Sequence, residues 1–237
     1  MLHDKDIREP LFEFLEETYG KTRIIEEKVM GKSRADVVMV TEDSIFGIEI
    51  KSDADTYTRL SGQVKDYDRF FDFNYVVVGT SHALHVDEHV PEYWGIITVE
   101  DMDSSADFYI LRRPQPNPKV TWKNKLSILW RPELAMIQIW NEMPKYNDKS
   151  KLFVVDKILE RLEKGKISEE TLKKQMSDLL FERDYNNISA VLKEYKESEK
   201  ARIKARENNP AELDKLLEQR ARAKENFQRK RRRRKRR

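Results

Sequence analysis

The order of apolar runs along this chain predicts an α/β fold, with a mixed sheet flanked by helices, an all-α accessory region after it and a basic tail. Three observations carry that expectation. Short runs rich in Val, Ile and Phe (ADVVMV, SIFGIEIKS, NYVVVG, YWGIITV) alternate with segments of helical period in the first half. Beyond PQPNP only helical periods remain. The last nine residues, RKRRRRKRR, contain no acid and no apolar residue, so they cannot build a core.

Each element has a local reason. Ile7, Leu11, Phe14, Leu15 and Thr18 share one face of a helix over about Lys5 to Tyr19, closed by Gly20. Pro10 suits only a first turn, which moves the regular part of that helix later than Lys5. TRIIEEKV reads as a strand, GKS as a turn, ADVVMV as a second strand, TED as a turn and SIFGIEIKS as a third strand. DTYTRLSGQVKDYDRFFDF is helical, with Leu60, Val64, Tyr67 and Phe71 on one face; Gly62 weakens it without breaking it. NYVVVG is nearly all apolar, as expected for a strand covered on both sides. HALHVDEHV makes a short helix and YWGIITV the last strand. The first three strands form a meander, and the later ones enter through helical crossovers.

The resulting organisation is a sheet domain over 1–113, a Pro-containing linker and apolar helix over 114–150, a helical region over 151–228 and a polybasic tail over 229–237. In the helical region KLFVVDKILERLEKGK and SEETLKKQMSDLLFERD flank Gly165, with Ser168 as N-cap. The pair has a helix–turn–helix outline, although two amphipathic helices joined at glycine more often simply pack together. Asn209–Pro210 ends one charged helix and begins another.

Composition narrows the class. Charged residues make up 38%, against roughly 25% for an average globular chain. There is no cysteine, which removes disulfides and thiolate metal sites. No apolar run approaches the ~20 residues of a membrane span, and MLHDKDIREP is acidic where a signal peptide is basic. These features predict an intracellular, cytoplasmic protein with no membrane partner. The net charge of +3 hides an asymmetry: residues 1–113 carry 13 Lys+Arg against 24 Asp+Glu, whereas the last nine residues are all basic. Different partners are expected for the two ends.

The chemistry concentrates in RADVVMVTEDSIFGIEIKS. Burying an ionised group without a partner is costly, yet this apolar hairpin carries Asp36, Glu49 and Lys51. Glu49 and Lys51, two apart, share one face of their strand. A tight TED turn pairs the two strands antiparallel and brings Asp36 near Glu49. Two carboxylates held a few ångströms apart repel, and a divalent cation removes that repulsion. Oxygen-only ligation completed by water is the Mg²⁺ pattern, with Mn²⁺ the alternative. Lys51 beside such an ion can orient a water or meet developing phosphoryl charge, the parts required for phosphodiester hydrolysis. A single acid-x-lysine triplet, by itself, reads as an ion pair on the wet face of a strand.

The wider pattern resembles the PD-(D/E)xK nuclease superfamily: an Asp at the start of the second core strand, then Glu-x-Lys closing the third. Gln63-Val-Lys-Asp-Tyr67 looks like the QxxxY motif of that superfamily's exonuclease branch, found in phage and recombination exonucleases. Spacing of i, i+4 puts Gln63 and Tyr67 on one helical face. The short hairpin and N-terminal helix also resemble archaeal Holliday-junction resolvases. The resemblance covers roughly residues 4–100 and implies a restriction-endonuclease-like fold. It implies a Mg²⁺-dependent DNA nuclease or endonuclease of DNA repair or recombination, with Asp36, Glu49 and the Ile50 carbonyl on the metal. Lys51 would then act on the attacking water, with Gln63 and Tyr67 supporting the site or the substrate strand.

One departure stands out. The first-helix position where relatives present a glutamate falls on Arg8. Asp4, Glu26 or Glu27 could supply that acid, and strand alternation allows only one of Glu26 and Glu27 to face the site. A non-catalytic nucleic-acid- or partner-binding module on the same fold is the alternative. Candidate DNA contacts are Arg8, Arg34 and the tail residues Arg229, Lys230, Arg231, Arg232, Arg233, Arg234, Lys235, Arg236 and Arg237, since arginine runs attract phosphate without sequence preference. A homodimer is left open, and no protein partner is identified. Outside the hairpin, His82, His85 and His89 at i, i+3, i+7 could line one helical face, with exposed helix histidines the commoner meaning of that spacing. Tyr93 and Trp94 read as packing, with base stacking the minority view. Ser52, Asp53, Asp55 and Thr56 read as the start of the next helix or as support for the site.

Overall fold

The computed structural model describes residues 3–102 and 105–183 and positions 193, 195, 197, 198, 200, 201 and 204. The chain divides into two compact units, residues 1–145 with 150–183, and 146–149 with 184–237. The basic tail and Asn209–Pro210 lie outside the described residues.

The first unit is built on six strands: β1 (Arg23–Met30), β2 (Ser33–Val40), β3 (Ile45–Lys51), β4 (Phe73–Gly79), β5 (Gly95–Met102) and β6 (Ser105–Arg112). They lie side by side in chain order. Pairing is antiparallel from β1 to β3, parallel from β3 to β5, and antiparallel again between β5 and β6. The expected α/β fold with a mixed sheet is therefore present. Strand β6 extends it past YWGIITV. SADFYILR pairs on one side only, and its Tyr109 and Leu111 are exposed, so its apolar signal is weak beside that of the inner strands.

Helix α1 (Asp4–Tyr19) covers one face of the sheet. Ile7, Leu11 and Leu15 are fully buried against Val37, Met39, Ile48, Ile50, Val77 and Ile97. The helix starts at Asp4 and carries Pro10 in its interior, not in its first turn. Proline there removes one backbone hydrogen bond, but the apolar stripe anchors the turns on both sides of it. His3 N–H donates to Asp6 Oδ2 (3.1 Å) at the start.

Helix α2 (Leu60–Phe70) lies on the opposite face, preceded by a turn of 3₁₀ helix at Tyr57–Arg59. Phe46 and Ile48 point toward α1, so Gly47 between them faces α2. A Cβ at Gly47 would stand 2.6 Å from Tyr67 Cδ1 and collide with the Phe71 ring, so only glycine lets these rings lie on the strand. Asp66 of α2 ties down the β1–β2 turn, accepting from Ser33 Oγ (2.6 Å) and Lys32 N–H (3.1 Å).

Helix α3 (Thr80–Ala83) is followed by a separate 3₁₀ turn, so His82, His85 and His89 do not share one helix. Instead the Tyr57 ring lies against His82 and His89, with centroids at 4.9 and 4.1 Å. Trp94 is fully buried and donates to Asp68 Oδ1 (2.9 Å), while Tyr93 OH donates to Asp68 Oδ2 (2.6 Å). Both are packing residues, as expected.

Helices α4 (Trp122–Ser127), α5 (Arg131–Trp140), α6 (Lys151–Glu163) and α7 (Glu169–Phe181) belong to this same unit. Ser168 caps α7 by accepting from Thr171 N–H (3.0 Å), and Gly165 takes the left-handed φ of 63° that the preceding turn needs. Lys125 Nζ of α4 donates to Asp72 Oδ1 (2.6 Å), whose Oδ2 receives Ile45 N–H (3.0 Å). That link fixes the start of β3. Among the described residues no helix is long and apolar enough to cross a membrane.

Candidate active site at the end of the meander

The antiparallel ladder between β2 and β3 ends at Val37 opposite Ile48. The next step along both strands is Asp36 and Glu49, so the two carboxylates stand where the sheet opens. Asp36 Oδ2 accepts from Ile50 N–H (2.9 Å) across the gap. Glu49 is almost wholly buried, with Lys51 beside it on the same face. Lys51 Nζ donates to Glu49 Oε1 at 2.5 Å. Gln63 Nε2 donates to the same oxygen, and Tyr67 OH donates to Oε2 (2.7 Å). Gln63 and Tyr67 thus meet one carboxylate from one helical face. The Tyr67 oxygen also receives Asp36 N–H (3.2 Å), which joins both acids through a single phenol.

The electrostatics are unbalanced. Burial, reinforced by the nearby Glu49 charge, pushes the Asp36 carboxyl up to about 7. Burial, reinforced by Glu49 and Asp36, also holds the Tyr67 phenol in its protonated form. Gln63 Oε1 is buried here with no hydrogen-bond partner.

Arg8 of α1 occupies the other side of the opening. Its Nε meets Asp4 Oδ2 at 2.7 Å, Nη1 meets Glu26 Oε2 at 3.4 Å and Nη2 meets Glu27 Oε1 at 2.9 Å. Nη1 also donates to the Asp36 carbonyl (3.3 Å), and Nη2 lies 3.9 Å from Asp36 Oδ1. Burial opposes the guanidinium charge, but Asp4, Asp36 and Glu27 outweigh it. Strand alternation predicts only one of Glu26 and Glu27 at this point, whereas both reach Arg8. The reason is Glu27, whose φ of 53° breaks the extended backbone. Arg34 Nε holds the second Glu27 oxygen at 2.5 Å.

A cleft of about 700 Å³ opens over these groups, lined by Asp4, Arg8, Glu27, Arg34, Asp36, Glu49, Ile50, Lys51 and Gln63. Tyr67 is buried beneath this lining, and Glu26 is exposed outside it. Lys32, Ser33, Arg59, Ser61 and Gly62 also border the cleft, and sequence reasoning had not singled them out for the site. The turn GKS and the glycine inside a helix were the available signals. A Cβ at Gly62 would touch nothing within 4 Å, so this glycine leaves the rim open. Asp55 folds back on Ser52, accepting from its N–H (2.9 Å) and Oγ (2.7 Å), and so shapes the exit from β3.

Among the described residues no group of three or more His, Asp or Glu is arranged to hold a metal ion. The cleft instead offers a two-carboxylate set, Asp36 and Glu49. It fits a cation in one respect that does not depend on analogy: the mutually repelling Asp36 and Glu49 carboxylates stand beside the buried Gln63 Oε1, which has no hydrogen-bond partner.

No curated protein matches this chain significantly. Among solved structures, SfsA of Pyrococcus furiosus in complex with Ca²⁺ is similar over 47% of this chain and 60% of its own, at 16% identity and a TM-score of 0.28. The chain therefore spans less than two thirds of that protein. A family model matches residues 1–217, nearly the whole length, and on that match the chain belongs to the bacteriophage P4 protein cII family.

Proposed function

We propose that this protein is a Mg²⁺- or Mn²⁺-dependent nuclease acting on DNA phosphodiester bonds. The observation that carries the reading is the convergence on one open cleft of Asp36, Glu49, Lys51, Gln63 and Tyr67, drawn from two strands and a helix. Asp36 and Glu49 would hold the ion, with the Ile50 carbonyl beside them. When bound, the ion would supply Lewis-acid polarisation of the phosphoryl group and relieve the repulsion between the two carboxylates. Tyr67 and Gln63 orient Glu49 by donating to its two oxygens. Lys51 keeps its ammonium beside Glu49, where it can position the attacking water and meet charge that develops on phosphoryl oxygens. The reaction forms one P–O bond from water and breaks one P–O ester bond, the water proton ending on the leaving oxygen.

DNA is the proposed partner. Lys32, Arg34 and Arg59 stand on the cleft rim, and the basic residues from Arg229 to Arg237 supply sequence-independent attraction that the acidic front of the chain lacks. Deleting 229–237 should flatten the dependence of DNA affinity on salt while kcat at saturating DNA survives. Equal salt slopes for both chains would assign the tail to another role.

The nuclease reading is tested by thermal melts with and without Mg²⁺, alongside cleavage of linear, circular and branched DNA. Wild type should be stabilised by the ion and should cleave; Asp36→Ala should do neither. Lys51→Ala should retain the metal-induced shift and lose turnover. A second reading, a non-catalytic nucleic-acid- or partner-binding module, is favoured by Arg8, whose guanidinium stands 3.9 Å from Asp36. It predicts DNA binding with no metal-linked stabilisation and no cleavage.

A further inference from the structure

The sheet ends in two different edges. Strand β1 carries Arg23, Glu26, Glu27 and Lys28, and Glu27 leaves the extended backbone at a φ of 53°, so the ladder to β2 skips it. Charges and a kink of this kind keep a further strand from adding to an edge. At the other edge β6 runs in unbroken register with β5 from Ser105 to Ile110, and its only charge there is Asp107. The irregularity of β6 comes later, at Leu111, between the pairs Ile97–Ile110 and Ile96–Arg112.

The outer side of β6 has what a further strand needs. Thr98 Oγ1 of β5 donates to the Tyr109 carbonyl (3.5 Å), so that carbonyl faces β5. Backbone groups alternate in direction along a strand, and Phe108 and Ile110 therefore turn their N–H and C=O outward. Among the described residues no strand pairs with that side. Apolar side chains flank it: Tyr109 and Leu111 are 47% and 58% exposed, and Met102 at the end of β5 is 54% exposed. Main-chain groups next to exposed apolar side chains are the recognition surface of strand addition.

Charge selects the strand that fits. Asp101 and Asp107 stand at the start of β6, and Arg112 and Arg113 at its end. A second copy laid parallel would set like charges together, whereas an antiparallel copy sets each acidic end against a basic end. With a two-fold axis at Tyr109, Phe108 of each copy lies opposite Ile110 of the other, and their outward groups exchange both hydrogen bonds. Asp107 of each copy then approaches the Arg112–Arg113 end of the other. We infer that β6 is a homodimerisation edge, joining two copies of this chain antiparallel into one continuous sheet. The inference does not depend on the nuclease reading.

The experiment is sedimentation equilibrium of the intact chain. Wild type should be dimeric at about 50 µM, where an association of micromolar Kd is populated. Tyr109→Lys/Leu111→Lys alters two exposed side chains and charges the edge; it should weaken the dimer by roughly tenfold or more, with far-UV circular dichroism unchanged. Asp107→Arg and Arg113→Asp should each weaken it as well, because either places like charges at both junctions. The combined exchange Asp107→Arg/Arg113→Asp conserves net charge and should return Kd to within about threefold of wild type. A monomeric wild type would overturn the inference. A dimer indifferent to the two lysines would overturn it too, since another surface would then join the copies. A combined exchange as weak as either single substitution would remove the antiparallel pairing, and the inference with it.

Discussion

Glu133 in the helical part and Glu49 in the sheet are both buried carboxylates, and they are neutralised in different ways. Arg183 meets Glu133 through Nε (2.7 Å) and Nη2 (2.5 Å), donates to the Ile128 carbonyl (3.3 Å) and lies 4.0 Å over the Trp130 ring. Glu133 Oε2 also receives Trp130 N–H (2.6 Å) at the start of α5. Both oxygens of the acid are closed by one guanidinium, with Lys28 and Lys151 adding positive charge around them. At Glu49 the Lys51 ammonium meets one of two neighbouring acids, and burial, with the Glu49 charge added, pushes the other, Asp36, up to about 7. A carboxylate closed on both oxygens by one buried guanidinium is structure, whereas repelling carboxylates kept in an open cleft are available to a ligand.

The largest expected effect breaks the closed side. Glu133→Ala should cost about 3–5 kcal/mol in denaturant unfolding, because it leaves a buried guanidinium without its carboxylate. A loss near zero would mean that Arg183 relaxes to water and that the contrast is not real. Next comes Glu49→Ala in EDTA. It strands the Lys51 ammonium and the Tyr67 phenol, so a loss of about 1–3 kcal/mol is expected even though carboxylate repulsion is relieved.

Asp36→Asn should act in the opposite direction. Its amide oxygen can still accept from Ile50 N–H, while the charge disappears. The folded chain holds a proton up to about pH 7 that the unfolded chain releases near 3.8. The stabilisation from that proton is fully present below pH 3.8 and is lost as pH rises through 7. In metal-free melts the variant should therefore be more stable than wild type by about 1–2 kcal/mol at pH 8, with the gain fading toward pH 4. A gain independent of pH would dissociate it from Asp36 ionisation.

The smallest effect lies at Lys28, between the two regions. Burial lowers this lysine to about 8, with Arg183 and Lys151 adding repulsion. Its unfavourable contribution is complete below pH 8 and gone above 10.5. Lys28→Met should add about 1 kcal/mol at pH 7 and nothing near pH 10.5. Melts at those two pH values decide it.

Much of the sheet was legible because its signals are local. ADVVMV, TED and SIFGIEIKS state two strands and a tight turn, and Thr41 and Ser44 close that turn through backbone and side-chain bonds to the Ser44 carbonyl (2.9 and 3.2 Å). Strand β6 was less legible, because an edge strand has one partner and an exposed face, and PQPNP drew attention past it. The pairs Asp72–Lys125 and Glu133–Arg183 left no trace in the pattern. Their members are 53 and 50 residues apart, and only folding brings them into contact.

The same division runs through the site. Period-two alternation and a short turn are enough to set Asp36 across from Glu49 and Lys51 beside Glu49, and i, i+4 spacing is enough to put Gln63 and Tyr67 on one helical face. Those placements follow from backbone geometry, which each short segment carries by itself. Tertiary structure alone decided which oxygens Gln63 and Tyr67 would reach, that Glu27 would leave the extended conformation, and that Arg8 would gather acids from α1, β1 and β2. Coulomb energy depends on distance through space and on burial. Neither quantity can be read from separation along the chain, so the identity of each charge's partner had to wait for the packing of α1 and α2 on opposite faces of the sheet.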